Sequence, residues 1–243
     1  MKEKVIVTGS NGQLGKCLVS MLIDDGYEVL GVDIKHDENC QEINGYTRHT
    51  LDIKNESSVE NFFSTLTEKE SIVGLVNNAA TAVFTPFKNR SYKEIKSVMD
   101  VNLAGTIIMT KNFMNITENS ISQIRIVNLG SIYGEVAPDL SIYGDTPRMS
   151  SEIYGMTKAA IINFTKYLAS AYEGGNARFN CVSPGGIEFK QGPDFKKKYA
   201  AKVPLRRMGR EKEISEVICF LLSKKSSYVN GENILVDGGL TKW

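Results

Sequence analysis

No stretch of this sequence stays apolar long enough to cross a bilayer. The N-terminal MKEKVIVTGS carries four apolar residues where a secretory leader needs a longer run, so a cytoplasmic protein is expected. Cysteine is scarce and scattered: Cys17, Cys40, Cys181 and Cys219 form no CxxC pair, which argues against a disulfide framework or a thiolate metal site. Free thiols are predicted. The two histidines, His36 and His49, suggest neither a metal nor a haem site, and none is expected. With a formal net charge of +1, nothing draws the whole chain toward nucleic acid or a membrane surface. No repeat, biased segment or Pro/Gly-rich linker divides the 243 residues, so they are read as a single domain, 1–243.

What the sequence does have is alternation. KVIVT (Lys4 to Thr8), YEVLGVD (Tyr27 to Asp33), IVGLVNN (Ile72 to Asn78), IRIVNLGS (Ile124 to Ser131), ARFNCVS (Ala177 to Ser183) and NILVD (Asn233 to Asp237) read as buried strands. A weaker strand is expected over Arg48 to Ile53. Between them lie helical patterns, with Leu14, Leu18, Met21 and Leu22 on one face and Val59, Phe62, Phe63 and Leu66 on another. This order predicts α/β architecture, a parallel sheet covered by helices on both faces. Gly134 to Ser150 and Phe189 to Gly209 lack a regular pattern and are candidate active-site loops.

VTGSNGQLG follows the first strand and opens the first helix, with Gly9, Gly12 and Gly15 three apart. Such a turn presents backbone N–H groups at a helix N-terminus, where a pyrophosphate can sit. Asp33 ends the second strand, where an acid accepts the adenosine ribose hydroxyls and repels a 2′-phosphate. No basic residue lies among residues 9 to 15, although Lys35 and His36 follow Asp33. NAD is favoured over NADP.

Tyr154 and Lys158 stand four apart in EIYGMTKAA, on one face of a predicted helix. A phenol titrates near pH ~10, too high for a base at neutral pH. A lysine ammonium beside it favours the phenolate and lowers that value.

These motifs together resemble the short-chain dehydrogenase/reductase family, in its shorter branch of roughly 250 residues. TGSNGQLG is similar to the TGxxGxxG form of its glycine turn, commoner in a longer, sugar-nucleotide-modifying branch. LDI (Asp52, Ile53), NNAA (Asn77 to Ala80), VNLAG (Asn102), VNLGS (Ser131), YGMTK (Tyr154, Lys158), SPGGI (Pro184, Gly185, Ile187) and GENILVDGG follow in the family's order along nearly the whole chain. The resemblance implies a doubly wound Rossmann-type domain with a seven-stranded sheet, commonly a homodimer or homotetramer. It implies cofactor contacts from Gly9, Asn11, Gly12, Gln13, Leu14, Gly15, Asp33, Asp52, Ile53, Asn78, Ala79, Ala80, Tyr154, Lys158, Pro184, Gly185 and Ile187. Tyr154 would be the general acid/base, Ser131 would orient the substrate oxygen, and Lys158 would also bind the nicotinamide ribose. Asn102 would hold a water on a proton path from Lys158 to solvent.

The chain departs from that pattern in three places. The interval from Ser131 to Tyr154 is long; as a wall over the substrate it would offer Tyr143, Asp145 and Arg148, and as a surface loop it would simply be solvated. Phe189 stands where the family often has a cofactor-contacting threonine. Lys190 to Lys212 carries nine basic residues against Asp194 and Glu211. As a lid, this segment would attract a phosphate, a nucleotide or a carboxylated sugar; as a helix face, it would simply be solvated. Loop character is also similar to oxidoreductases of bacterial surface-sugar and flagellin-modification pathways. The expected activity is NAD(H)-dependent hydride transfer with a secondary alcohol or ketone, sugar-derived. A 3-oxoacyl carrier-protein reductase and a non-catalytic dinucleotide-binding regulator are the alternatives.

Overall fold

The structure, a computed structural model, describes residues 2–37, 42–144 and 149–242. Seven strands form one parallel sheet: β1 (Lys4–Thr8), β2 (Glu28–Asp33), β3 (Tyr46–Thr50), β4 (Ile72–Asn77), β5 (Ile124–Leu129), β6 (Ala177–Pro184) and β7 (Asn233–Val236). Their order is β3-β2-β1-β4-β5-β6-β7, so the chain reverses direction across the sheet between β1 and β4. A crevice opens there, beyond the strands' C-terminal ends.

Strand alternation divides the core into two faces. Val5 and Val7 of β1, with Val127 and Leu129 of β5, pack under α1 (Gln13–Asp24) and α7 (Glu211–Leu222) through Leu18, Leu22, Ile214 and Ile218. Ile6 and Ile126 point the other way, to α2 (Glu56–Thr65), α4 (Thr106–Thr117) and α5 (Glu152–Ala171) through Phe63, Met109, Phe113 and Leu168. A buried polar chain pins that second layer. Asn77 donates to Thr110 Oγ1 on α4 and to Asn128, and Asn128 donates to Thr165 Oγ1 on α5.

Two expectations need correction. The edge strand lies at 46–50, beginning two residues and ending three residues before the Arg48 to Ile53 read from the sequence. Pairing with β2 decides this: Tyr46 aligns with Val29 and Thr50 with Asp33, where β2 itself ends. Leu51, Asp52 and Ile53 therefore fall in the turn that leads to α2. The second correction concerns 189–209, expected as a loop, which contains α6 (Pro193–Ala201). Proline at its first turn presets the helical φ, and Tyr199 is buried among Val203, Met208 and Ile142.

Candidate active site

β1 ends in a turn only glycine can make. Gly9 has φ +65°, and a Cβ there would lie 2.8 Å from Ala79 Cα. A Cβ on Gly15 would lie 2.1 Å from the Gly9 carbonyl oxygen, forcing α1 off the turn. Gly12 caps α1 with no side-chain acceptor, which leaves first-turn N–H groups facing outward. The following asparagine loop is locked to the same turn: Thr8 Oγ1 accepts N–H bonds from Asn78 and Ala79, each at 3.0 Å, and the Asn78 amide donates to the Thr8 and Gly9 carbonyls.

The cleft between them measures about 520 Å³. Gly9, Gly12, Gln13, Leu14, Asp33, Asp52, Ile53, Asn78, Ala79 and Ala80 all line it. These residues fit a dinucleotide: a backbone cradle that any Cβ would fill, with a carboxylate at the far end. Asp33 accepts the Asn11 N–H at 2.9 Å, so Asn11 braces the acid without lining the cleft. Gly15 is buried beneath the turn. Pro184 aligns with Val236 in the sheet, and Ile187 bridges to Gly209 and packs under α1 and α7. Gln13 donates to the Glu188 carbonyl and to the Glu211 carboxylate, tying the turn to the segment after β6.

Ser131 and Tyr154 meet at the floor of a second cavity of about 730 Å³, which Gly185 also lines. A smaller cavity shares Ala80 and Thr81 with the first cleft and Phe84, Tyr133, Tyr143 and Tyr154 with the second, so the three form one trough. Ser131 follows β5 and accepts the Tyr133 N–H at 3.2 Å. Ser151 caps α5 by accepting the Tyr154 N–H, so the tyrosine sits in the helix's first turn. Lys158, one turn on, is buried, and its Nζ donates to the Leu129 carbonyl at 2.6 Å.

Electrostatics here differ from the expectation. The ammonium lies 5.6 Å from the Tyr154 ring centroid. Burial raises the Tyr154 phenol above its ordinary value, and the hydrogen bond with Ser131 opposes this only in part. Burial lowers Lys158 to about 8. In the protein alone, desolvation and not the neighbouring ammonium governs the phenol.

Asn102 lies in a π-helical turn, Asp100–Gly105, between α3 (Tyr92–Met99) and α4. Its Oδ1 accepts the Thr81 N–H at 2.8 Å, and its Nδ2 donates to the Thr81 carbonyl and to Thr157 Oγ1. The side-chain amide expected to hold a water is thus engaged by protein, bracing the Thr81 loop against α5.

Several residues of the trough gave no signal in the sequence. Tyr199 donates no motif, yet its hydroxyl accepts the Gly186 N–H, and burial raises its phenol. Burial, with the Tyr143 hydroxyl, raises Tyr133 as well. Only the Phe195 and Tyr199 spacing of four hinted at a shared helix face. Of the long-interval candidates, Tyr143 lines the cavity, while Asp145 and Arg148 lie outside the described residues. Cys17, Cys181 and Cys219 are free thiols, and Cys40 is outside the described residues. Among the described residues, no His, Cys, Asp and Glu grouping could hold a metal, and no helix is long and apolar enough to cross a membrane.

A family model described as enoyl-(acyl carrier protein) reductase matches residues 10–241. The chain belongs to the short-chain dehydrogenase/reductase family. It is accordingly an oxidoreductase acting on alcohol or ketone groups. Among curated relatives of this short-chain dehydrogenase/reductase, a 3-oxoacyl-[acyl-carrier-protein] reductase FabG from Buchnera aphidicola is 30% identical, covering 98% of this chain and 97% of its own. A glucose 1-dehydrogenase from Gluconobacter oxydans is 27% identical, covering 98% and 92%. Among solved structures, a short-chain dehydrogenase from Leptospira borgpetersenii with bound NAD+ superposes with a TM-score of 0.93 at 36% identity, covering 99% of this chain and 93% of that one.

Proposed function

We propose that this oxidoreductase transfers hydride between NAD(H) and a secondary alcohol or ketone of a sugar or sugar derivative. One observation carries the reading: Ser131 and Tyr154 share the floor of a cavity continuous with the glycine-lined cleft, and Lys158 lies directly behind the tyrosine. A dinucleotide held by the glycine turn and the Asn78 to Ala80 loop would supply or accept the hydride with its two electrons. Tyr154 takes the proton from the substrate hydroxyl in oxidation and returns it in reduction. Ser131 fixes the substrate oxygen against the phenol. Lys158 would hold the ribose hydroxyls and, as an ammonium 5.6 Å from the Tyr154 ring, would favour the phenolate against the burial that keeps it protonated. Asn102 acts by position, keeping the Thr81 loop against α5.

Asp33 supports NAD over NADP, since a 2′-phosphate would meet its carboxylate, and Lys16 is already paired with Asp37 at 2.6 Å. The NAD+ bound to the Leptospira structure agrees with that reading. Aromatic walls, Phe84, Tyr133, Tyr143 and Phe195, suit the faces of a sugar, and the relatives include a glucose dehydrogenase. We take the chain as a single domain, cytoplasmic, and a homo-oligomer through the exposed Ile107, Met156 and Tyr167 of α4 and α5. The FabG relative favours a second reading, reduction of a 3-oxoacyl thioester.

The test follows NADH absorbance across sugars, polyols and acetoacetyl thioesters, with Tyr154→Phe alongside. Removing the proton-transfer group should lower kcat about 10²–10⁴-fold while NADH still binds. Undiminished turnover in Tyr154→Phe would sink the assignment. Preference for NADPH and the thioester would install the second reading.

A further inference from the structure

The nine basic residues between Lys190 and Lys212 look alike in the sequence, and the fold sorts them. Lys196 pairs with Glu188 at 2.9 Å, Lys202 with Asp139 at 2.9 Å and Arg207 with Glu213 at 2.5 Å. Arg206 donates to the Ala201 carbonyl, and the Arg210 backbone is capped by Glu213. Lys197 and Lys212 do not line the cavity that holds Tyr154. Lys190 and Lys198 do.

These two lysines have no ion-pair partner among the described residues. Lys198 reaches the cavity from α6, its Nζ 3.1 Å from where a Cβ on Gly144 would lie. Lys190 enters from the segment after β6, its Nζ 5.3 Å from the Phe189 ring centroid. Asp194 is the acid lining the same cavity, and the described lining carries one more positive charge than negative. Aromatic rings supply part of the remaining wall: Tyr143 and Phe195 lie 5.4 Å apart, and Phe195 stacks on Tyr199 at 6.1 Å. Glu188 and Asp139 are held by other lysines, which leaves Asp194 as the carboxylate of the described lining. Two ammoniums in the lining of the cavity that holds Tyr154 therefore offer a net positive charge to whatever fills it.

We infer that the substrate is an anion: a hydroxy or keto compound whose reacting carbon sits at Ser131 and Tyr154 and whose carboxylate or phosphate lies between Lys190 and Lys198. This rests on the dehydrogenase reading above and deepens it. The lysines give specificity by charge and take no part in the proton transfer. Both are exposed, so each contributes modestly, and only together do they discriminate an anion from its neutral analogue by about tenfold.

Matched pairs test this: 5-ketogluconate against its methyl ester for the carboxylate, and dihydroxyacetone phosphate against dihydroxyacetone for the phosphate, each with NADH. Wild-type kcat/KM should favour one charged member by about tenfold, and the favoured pair names the anion. In the Lys190→Gln/Lys198→Gln double variant that ratio should fall toward one, with an unchanged unfolding midpoint. Equal rates within both pairs, or a ratio that survives in the variant, overturns the inference while leaving the dehydrogenase intact. A preference for a neutral acetoacetyl thioester overturns it too. If no ketone is reduced, the dehydrogenase reading fails separately, and NADH-fluorescence titration of the loaded enzyme decides the anion site. Gluconate and inorganic phosphate binding more tightly than sorbitol, and doing so only in the wild type, supports the site; no such preference removes it.

Discussion

Lys158 is a buried ammonium that donates to the Leu129 carbonyl, and no carboxylate among the described residues is paired with it. Such a group is held for function at a cost in stability, because the charged form loses hydration that one carbonyl cannot replace. Lys158→Met should therefore abolish turnover and yet stabilise the fold by about 2 kcal/mol at neutral pH, read from urea unfolding. The sign of the pH dependence follows from its lowered pKa. With the folded value at about 8 and the ordinary value at 10.5, the unfolded chain binds more protons between them, and stability rises with pH across that window. The stability gap between Lys158→Met and wild type should accordingly narrow as pH climbs from about 8 toward 10. A gap that stays constant would mean the lysine is not desolvated. Tyr133, Tyr154 and Tyr199 act the opposite way above about pH 10, since their raised phenols ionise later in the fold than in the open chain.

At the scale of elements, the angle at which α5 enters the site depends on one guanidinium. Arg90 is nearly inaccessible, with a side chain 2% exposed, and it joins three segments. Its Nε donates to Glu152 at 3.1 Å in the first turn of α5, and its Nη2 donates to the Thr85 carbonyl at 2.6 Å. Its Nη1 lies 3.6 Å from Glu94 of α3, whose carboxyl is held to about 2, chiefly by the Thr85 and Ser91 hydrogen bonds. Glu152 stands two residues before Tyr154, so the fork sets where the phenol meets the Phe84 loop. Arg90→Ala should cost about 1–3 kcal/mol in chemical denaturation, because the enclosed side chain and its bond to the Thr85 carbonyl are lost together. It should also lower kcat with little change in NADH affinity. Arg90→Lys should recover only part of either, since an ammonium cannot span the same three acceptors. An unchanged kcat in Arg90→Ala would show that α5 is oriented by its packing alone.

For the whole molecule, the sheet order brings the ends of β1, β2 and β4 together around the cleft, so cofactor and fold are thermodynamically linked. A ligand at 100 times its Kd stabilises the native state by about 2.7 kcal/mol. For a chain of this size that is roughly 5–10 °C in Tm. NADH should give this shift, and NADPH at equal concentration a clearly smaller one, because its 2′-phosphate approaches Asp33. Replacing that acid, Asp33→Ser, should close the gap between the two cofactors. Equal shifts in the wild type would remove the carboxylate from the argument.

Local chemistry determined much of this protein from the sequence alone. The glycine turn, Asp33 at a strand end and the Tyr154–Lys158 pair are legible because each depends on neighbours within a few residues, through a turn's φ, a strand's end or one helical period. The seven strands were legible for the same reason, since buried parallel strands are short apolar runs bounded by turn residues. Contacts between distant segments were not. The true bounds of β3 depended on which β2 residues it paired with, and α6 on the hydrophobic nest around Tyr199. The saturation of Asn102 required Thr81 and Thr157 to arrive from separate elements. Burial made Tyr154 a weaker acid than its neighbouring lysine suggested, and pairing with Glu188, Asp139 and Glu213 left Lys190 and Lys198 as the charges facing the site. Burial and charge pairing are set by residues far apart along the chain, and only folding makes them neighbours.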